Sequence, residues 1–350
     1  MKKRLLTLAV LAMMGLTALT GCGSSKDASS SSDAGGKELV MVWLPNESSE
    51  GHKSAREEIG KIIEKATGKK VEHKLTTDYA ITVETVANNK AALAWLGPQG
   101  YVEAHTKNPA VLPVVVPSGP SGTIDDAVYY AWLAVNKGAE GEYKNGNTFA
   151  IDNIAGKSMS FVSNSSTSGF KVPSAGIVKK FSATDKWKDL KAADLMEGGK
   201  DKFFKEVMFG GSHQGAALNL LTGKVELAAF CDEVLRPYIK LTSGDENRVG
   251  AVYAIKEGAA EPFQKLVGKE YVVISSTPVL NSPIVMNTKM LSKEDQEKIL
   301  AALTASETSS NPQVFVPKGQ NFTGMFIKTK NEQFVKVDDA WFQPIRDLSK

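Results

Sequence analysis

Residues 158–181 read SMSFVSNSSTSGFKVPSAGIVKKF. The opening SMSFV (158–162) is a short, mainly apolar run of the kind that forms a buried strand. The closing FKVPSAGIVKKF (170–181) carries a helix-like apolar pattern. Between them, NSSTSG (164–169) sets Ser165, Ser166, Thr167 and Ser168 in a row ahead of Gly169. Four hydroxyls fill no core and make poor helix. Two uses are open. One serine can cap the helix while the others stay solvated, or several can point donors at an anion held at the helix start.

The strand–loop–helix unit recurs along the chain, and that recurrence decides the fold class. ELVMVWL (38–44) reads as a buried strand. SAREEIGKIIEKATG (54–68) reads as a helix: Ser54 and Glu57 are spaced as a capping box, Ile59, Ile62, Ile63 and Ala66 share a face, and Gly68 stops it. VEHKL (71–75) is a strand, DYAITVETVANN (78–89) a helix, AALAWL (91–96) a strand and AVLPVVV (110–116) another extended run. ELAAF (226–230) and YVVIS (271–275) are further strands, and SKEDQEKILAAL (292–303) a late helix. The pattern predicts an α/β fold of mainly parallel sheets with helices on both faces. Such sheets bind ligands beyond the carboxyl ends of their strands, where the hydroxyl loop falls.

At the N-terminus Lys2, Lys3 and Arg4 precede an apolar run over 5–19. This is a secretory signal, too short for a stable membrane span. LTGC (19–22) resembles the bacterial lipobox, which implies acylation of Cys22. Residues 22–37, GSSKDASSSSDAGGK after the cysteine, lack apolar residues and read as a flexible tether. The expectation is a lipid-anchored extracytoplasmic protein. The chain has 42 Lys+Arg and 39 Asp+Glu, and removing 1–21 takes away three basic residues, leaving 39 against 39. A neutral mature chain with no basic, aromatic-laced cluster excludes nucleic-acid binding. With Cys22 acylated, Cys231 is the remaining cysteine, so stability must come from a core. Roughly 310 ordered residues suit two domains.

Enzyme signatures come close and fail. SGFK (168–171) fits S-x-x-K, but LTGK (221–224) has the wrong order for its partner motif. AGKS (155–158) ends like a P-loop, with Ile151 where the first glycine belongs. GGSHQ (210–214) is no nucleophile elbow, and His52, His73, His105 and His213 have no zinc spacing. No metal or cofactor is expected, and a serine enzyme using Ser168 and Lys171 stands as the distant alternative. After the signal only Arg56, Arg236, Arg248 and Arg346 remain, but an anion needs no arginine clamp. Hydrogen bonds to a charged group contribute about 1.5–3 kcal/mol each and a helix N-terminus about 0.3–2. Four or five donors can offset desolvation and leave roughly the −8 kcal/mol of a micromolar site.

Several motifs, in order, resemble the phosphonate-type substrate-binding proteins of ABC importers. ATGKKVEHKLTTDYA (66–80), AALAWLGPQGYVEAH (91–105, with Ala92 where the family has aspartate), YYAWLAVNK (129–137), NSSTSGFKVP (164–173), GGSHQGAALNLLTGKVELAAFCDE (210–233) and TPVLNSPIVM (277–286) carry the likeness. It spans most of the chain, from about residue 39 to 303. The resemblance implies two α/β lobes joined by two crossing strands and closing on the ligand, in the type II periplasmic-binding manner. One lobe would comprise 38–131 and 277–350, the other 132–276, with crossings near 131–135 and 273–277.

The resemblance also implies the site. Ser166, Thr167 and Ser168 would grip the phosphonyl oxygens, His213 would donate to them, and Tyr79 and Tyr129 would close from the facing lobe. Members that bind aminoalkylphosphonates place two acids around the ammonium group. Glu233 matches one, whereas the other falls at Ser282, which carries no charge. This departure favours phosphate, phosphite or an alkylphosphonate over 2-aminoethylphosphonate. The partner implied is an ABC permease, met by a monomer. The same fold binding a sulfonate or carboxylate is the alternative.

Overall fold

The computed structural model describes residues 37–320 and 324–348. The expected leader (1–21), Cys22 and the tether (22–37, save Lys37) lie outside the described residues. The chain builds β1 (Glu38–Trp43), α1 (Lys53–Thr67), β2 (Lys70–Leu75), α2 (Tyr79–Ala87), β3 (Leu93–Trp95), α3 (Pro98–Lys107) and β4 (Val111–Pro117). It passes into β5 (Val128–Asn136), a small hairpin of β6 (Lys144–Asn145) and β7 (Thr148–Phe149), then β8 (Ser158–Phe161), α4 (Val172–Phe181) and β9 (Glu206–Phe209). There follow α5 (His213–Leu221), β10 (Leu227–Cys231), α6 (Asp232–Leu235), β11 (Ile239–Ser243), β12 (Val252–Ile255) and β13 (Glu270–Leu280). The last part holds β14 (Ile284–Asn287), α7 (Lys293–Leu303), α8 (Ser306–Ser309), β15 (Phe315–Pro317), β16 (Phe326–Lys328), β17 (Phe334–Lys336) and α9 (Gln343–Asp347).

Two large sheets result, ordered β17-β4-β14-β3-β1-β2 and β11-β12-β13-β5-β10-β8-β9, and they make a two-lobed α/β fold. The chain leaves the first sheet after β4 and returns to it at β14. β5 and β13 run antiparallel from Val128↔Leu280 to Asn136↔Tyr271, with a bulge between Val273 and Ser275. Residues 131–135 and 273–277 fall inside this ribbon.

The sheets are mixed, which corrects the expectation of mainly parallel ones. β1–β2, β1–β3, β10–β8 and β8–β9 are parallel. The others in the two sheets pair antiparallel. Parallel neighbours need a crossover, normally a helix. Between β11 and β13 the chain has no α-helix, so those consecutive strands reverse directly. A second correction concerns α1. It begins at Lys53, with His52 in the cap position making no side-chain bond, so Ser54 lies inside the first turn and the capping box does not form. Gly68 ends the helix at φ +69°, as read.

The unit around β8 shows how the core fixes the loop above it. Phe161 and Phe170 meet edge to face at 5.0 Å, and Phe181 meets Phe203 at 4.8 Å. Ile177 and Phe204 complete the buried cluster. Burying each such ring or branched chain contributes about 1.5–3 kcal/mol. Gly169 lets the turn sit down on the strand, because a Cβ there would lie 2.3 Å from Val162 Cγ2.

Candidate functional site

The hydroxyl stretch forms a wide turn. Ser166 is extended (φ −78°, ψ 129°), and its Oγ accepts the Gly169 N–H at 3.1 Å. Lys171 N–H donates to the Ser166 carbonyl at 3.0 Å, a π-type turn over Thr167–Lys171 that runs into α4. The capping use left open by the residues therefore occurs. One serine caps, and Thr167 and Ser168 are left over, buried, while Ser165 is only partly so.

Other helix starts meet this turn. Tyr79 is the first residue of α2, Gly97 caps α3, and His213 is the first residue of α5. Helix N-termini carry unpaired N–H groups and partial positive charge. Ser166, Thr167, Ser168, Tyr79, Tyr129, His213, Glu233 and Ser282 line one cavity of about 20 Å³. That volume is on the order of one or two water molecules and suits a compact group. All eight residues expected from the sequence come together here.

Three side chains of the lining already accept a hydrogen bond from the protein, which biases them toward donating. Thr167 Oγ1 accepts the Gln99 N–H at 2.9 Å, leaving its own proton free to point inward. Tyr79 Oη accepts from Asn46 Nδ2 at 2.6 Å. His213 Nδ1 accepts the Cys231 N–H at 3.0 Å, so the imidazole proton sits on Nε2, 3.5 Å from Ser168 Oγ. Burial pushes the His213 pKa down to about 3, so the ring is a neutral donor. Burial also holds the Tyr79 and Tyr129 phenols well above their usual range. The tautomer argues against Ser168 as a nucleophile. A base must present a bare nitrogen to the serine and donate its other N–H to an orienting acid. Here both roles are reversed.

Acids occupy another part of the lining. Glu233, at the start of α6, is partly buried, and desolvation raises its pKa to about 7. Ser282 is buried. Asp232 turns away: it accepts the Tyr130 N–H at 2.8 Å and pairs with Arg236 at 2.8 Å. It lines a neighbouring groove of about 300 Å³ that meets the cavity at Tyr129 and Glu233.

Sequence reasoning missed Asn46, Glu47 and the Gly97–Gln99 corner. Asn46 Oδ1 accepts the His213 N–H at 3.0 Å, and its carbonyl accepts from Gln214 Nε2 at 3.1 Å, tying the β1–α1 turn to α5. Both missed segments follow the carboxyl ends of strands, β1 and β3, and that signal was available. Trp95 packs within the sheet, stacked 6.4 Å from Trp43, and it also lines the cavity. Trp132 lies in the sheet against Tyr253 at 4.8 Å.

A two-lobed α/β protein with a small, donor-lined cavity is the build of a solute-binding protein. Over residues 41–342 the chain matches the family described as ABC transporter, phosphonate, periplasmic substrate-binding protein, and it belongs to that family. A relative, the phosphate-import protein PhnD of Mycolicibacterium smegmatis, is 25% identical over 237 residues, 67% of each chain. Among solved structures, a binding protein component of a phosphonate ABC transporter from Pseudomonas aeruginosa superposes with TM-score 0.61 at 19% identity, covering 89% of this chain and 85% of that one. PhnD1 of Prochlorococcus marinus, solved with methylphosphonate, gives TM-score 0.60 at 13% identity, covering 89% and 97%. These likenesses show the same fold.

Proposed function

We propose that the protein is an extracytoplasmic solute-binding lipoprotein, anchored through Cys22. It would capture a phosphorus oxyanion (phosphonate, phosphite or phosphate) and deliver it, as a monomer, to an ABC importer permease. The observation that carries this reading is the set of engaged acceptors. Thr167, Tyr79 and His213 each receive a hydrogen bond from the protein and have a proton to turn to the ligand, that of His213 lying 3.5 Å from Ser168 Oγ in this conformation. Ser166, whose oxygen caps the turn, stands against the Tyr79 hydroxyl. Such donors at helix starts match a tetrahedral oxyanion, whereas a planar carboxylate needs fewer. Membership of the family, the phosphate-import relative and the methylphosphonate-bound neighbour support it.

In this reading Tyr129 bonds the oxygens from the facing side, and Glu233 and Ser282 face the ligand's substituent. The lobes, 38–131 with 277–350 and 132–276, close over the ligand about the β5–β13 ribbon. The closed form is what the permease recognises. Thr167 already spans the two sheets' loops in this conformation, since Gln99 follows β3 and Thr167 follows β8.

Calorimetric titration with phosphate, phosphite, methylphosphonate and 2-aminoethylphosphonate tests the proposal. Micromolar or tighter binding of at least one is expected. Silence from all four, with folded and ligand-free protein, contradicts it.

A further inference from the structure

Glu47 belongs to the cavity lining, and the donor wall does not account for it. It sits in the turn Pro45–Ser48 between β1 and α1, is 5% exposed, and its Oε2 has no hydrogen-bond partner. The nearby Arg56 is directed at main-chain carbonyls instead, donating to Glu47 O and, at 2.9 Å, to Ser49 O. Around the carboxyl stand Asn46 on the same turn, Tyr79 on α2, Cys231 at the end of β10 and Glu233 on α6, with the neutral His213 on α5 lining the same cavity. A bound oxyanion would join two carboxyls in an enclosed space. Burying a bare charge without a partner is costly, and like charges close together add to that cost. A proton between the carboxyl and a ligand oxygen removes the conflict.

We propose that Glu47 is a specificity-determining residue whose carboxyl shares one proton with a ligand oxygen. The site then takes tetrahedral oxyanions that can carry a proton and disfavours those that cannot near neutral pH, sulfate and alkylsulfonates. The proton count is the same whether the pair is P–OH with carboxylate or P–O⁻ with carboxylic acid. The inference rests on the function proposed above and narrows it. Its electrostatics agree: burial first, then Glu233, raises the Glu47 pKa from 4.5 to about 8. The sign follows. Below 4.5 the acid is protonated in every state, so closing takes up no proton. Between 4.5 and about 8 closing must take up a proton, at a cost that grows with pH and then levels off. A ligand that brings its own proton avoids this cost, and sulfate does not.

The test is calorimetry with inorganic phosphate, methylphosphonate and sulfate from pH 6 to 9, on wild type and Glu47→Gln. Around pH 8–9 the association constant for methylphosphonate, whose dianion carries no proton, should fall about tenfold per pH unit, whereas phosphate, which still carries one proton there, should change little. Titrations in two buffers of different ionisation enthalpy should show uptake of about one proton per methylphosphonate there and none with phosphate. At pH 7 sulfate should bind on the order of 100-fold more weakly than phosphate. In Glu47→Gln, whose amide donates without a titrating proton, the slope should flatten and the sulfate gap narrow. Wild-type binding of methylphosphonate at pH 9 without proton uptake overturns the inference alone, as does an unchanged methylphosphonate slope in folded Glu47→Gln. Failure of every phosphorus ligand at every pH overturns the parent reading, and this one with it.

Discussion

Two sets of groups line the cavity on opposite rules. Ser166, Thr167, Tyr79 and His213 each already accept a hydrogen bond from the protein, which biases them toward donating. Glu233 is held near pKa 7, and Glu47 keeps an oxygen with no partner. The first set is wired before any ligand arrives, and the second is left open. A wired set recognises a class of ligand, because its donors are positioned beforehand. An unsatisfied set separates members of that class, because only some of them supply what it lacks.

The comparison breaks most readily at His213. His213→Leu removes a charge-directed donor, at about 1.5–3 kcal/mol of anion affinity, and strands the Cys231 N–H, at about 1–3 kcal/mol of stability. Calorimetry and thermal melting should show both losses, and affinity unchanged in the variant would remove His213 from the donor wall. Thr167→Val comes next, at about 1–3 kcal/mol of affinity, since it loses a donor and leaves the Gln99 N–H unpaired with little change of shape. An unaltered affinity would move the site elsewhere.

In the acid set the effect should be smaller and of opposite sign. Glu233→Gln removes a charge that faces the anion, so binding of methylphosphonate should tighten modestly, by under about 1 kcal/mol, and more above pH 7 than below it. Tight binding of 2-aminoethylphosphonate that this variant abolishes would show instead that the acids hold a cation despite Ser282. The smallest effect at neutral pH is on stability. The pKa values of His213 and His52 are pushed down by burial to about 3 and about 4, below their ordinary 6.5. Folding is unaffected by them above 6.5 and loses stability as pH falls from 6.5 toward 4, because the unfolded chain takes up the protons first. Because the raised Glu47 and Glu233 pKa values shift stability the opposite way over this window, NMR titration of the rings is the clean measurement, and imidazole signals of His213 and His52 that titrate near 6.5 would contradict the buried neutral rings.

Much of the donor set was legible because its residues are contiguous or lie in dense motifs. Hydroxyls at 166–168 follow a strand and open a helix, and the periodicity of Phe170, Ile177 and Phe181 marks the helix that holds them. The acid set was less so. Glu47 reaches the cavity through the fold of a turn more than 100 residues from its neighbours Cys231 and Glu233, and no local pattern separates it from a solvated acid. The mixed sheets were hidden for a similar reason. Local periodicity reports strands, while pairing direction depends on whether a helix intervenes, and no α-helix does between β11 and β13. The α1 start was misread because Ser54 and Glu57 have capping-box spacing, whereas the turn at Glu50–His52 feeds the helix directly.

The most direct test of the account is a crystal structure with methylphosphonate bound. It should place the phosphonyl oxygens within hydrogen-bond distance of Ser166, Thr167, Ser168 and His213 Nε2, with the methyl group toward Glu233 and Ser282. A ligand held instead in the adjoining groove, against Arg236 and Lys318, would contradict it.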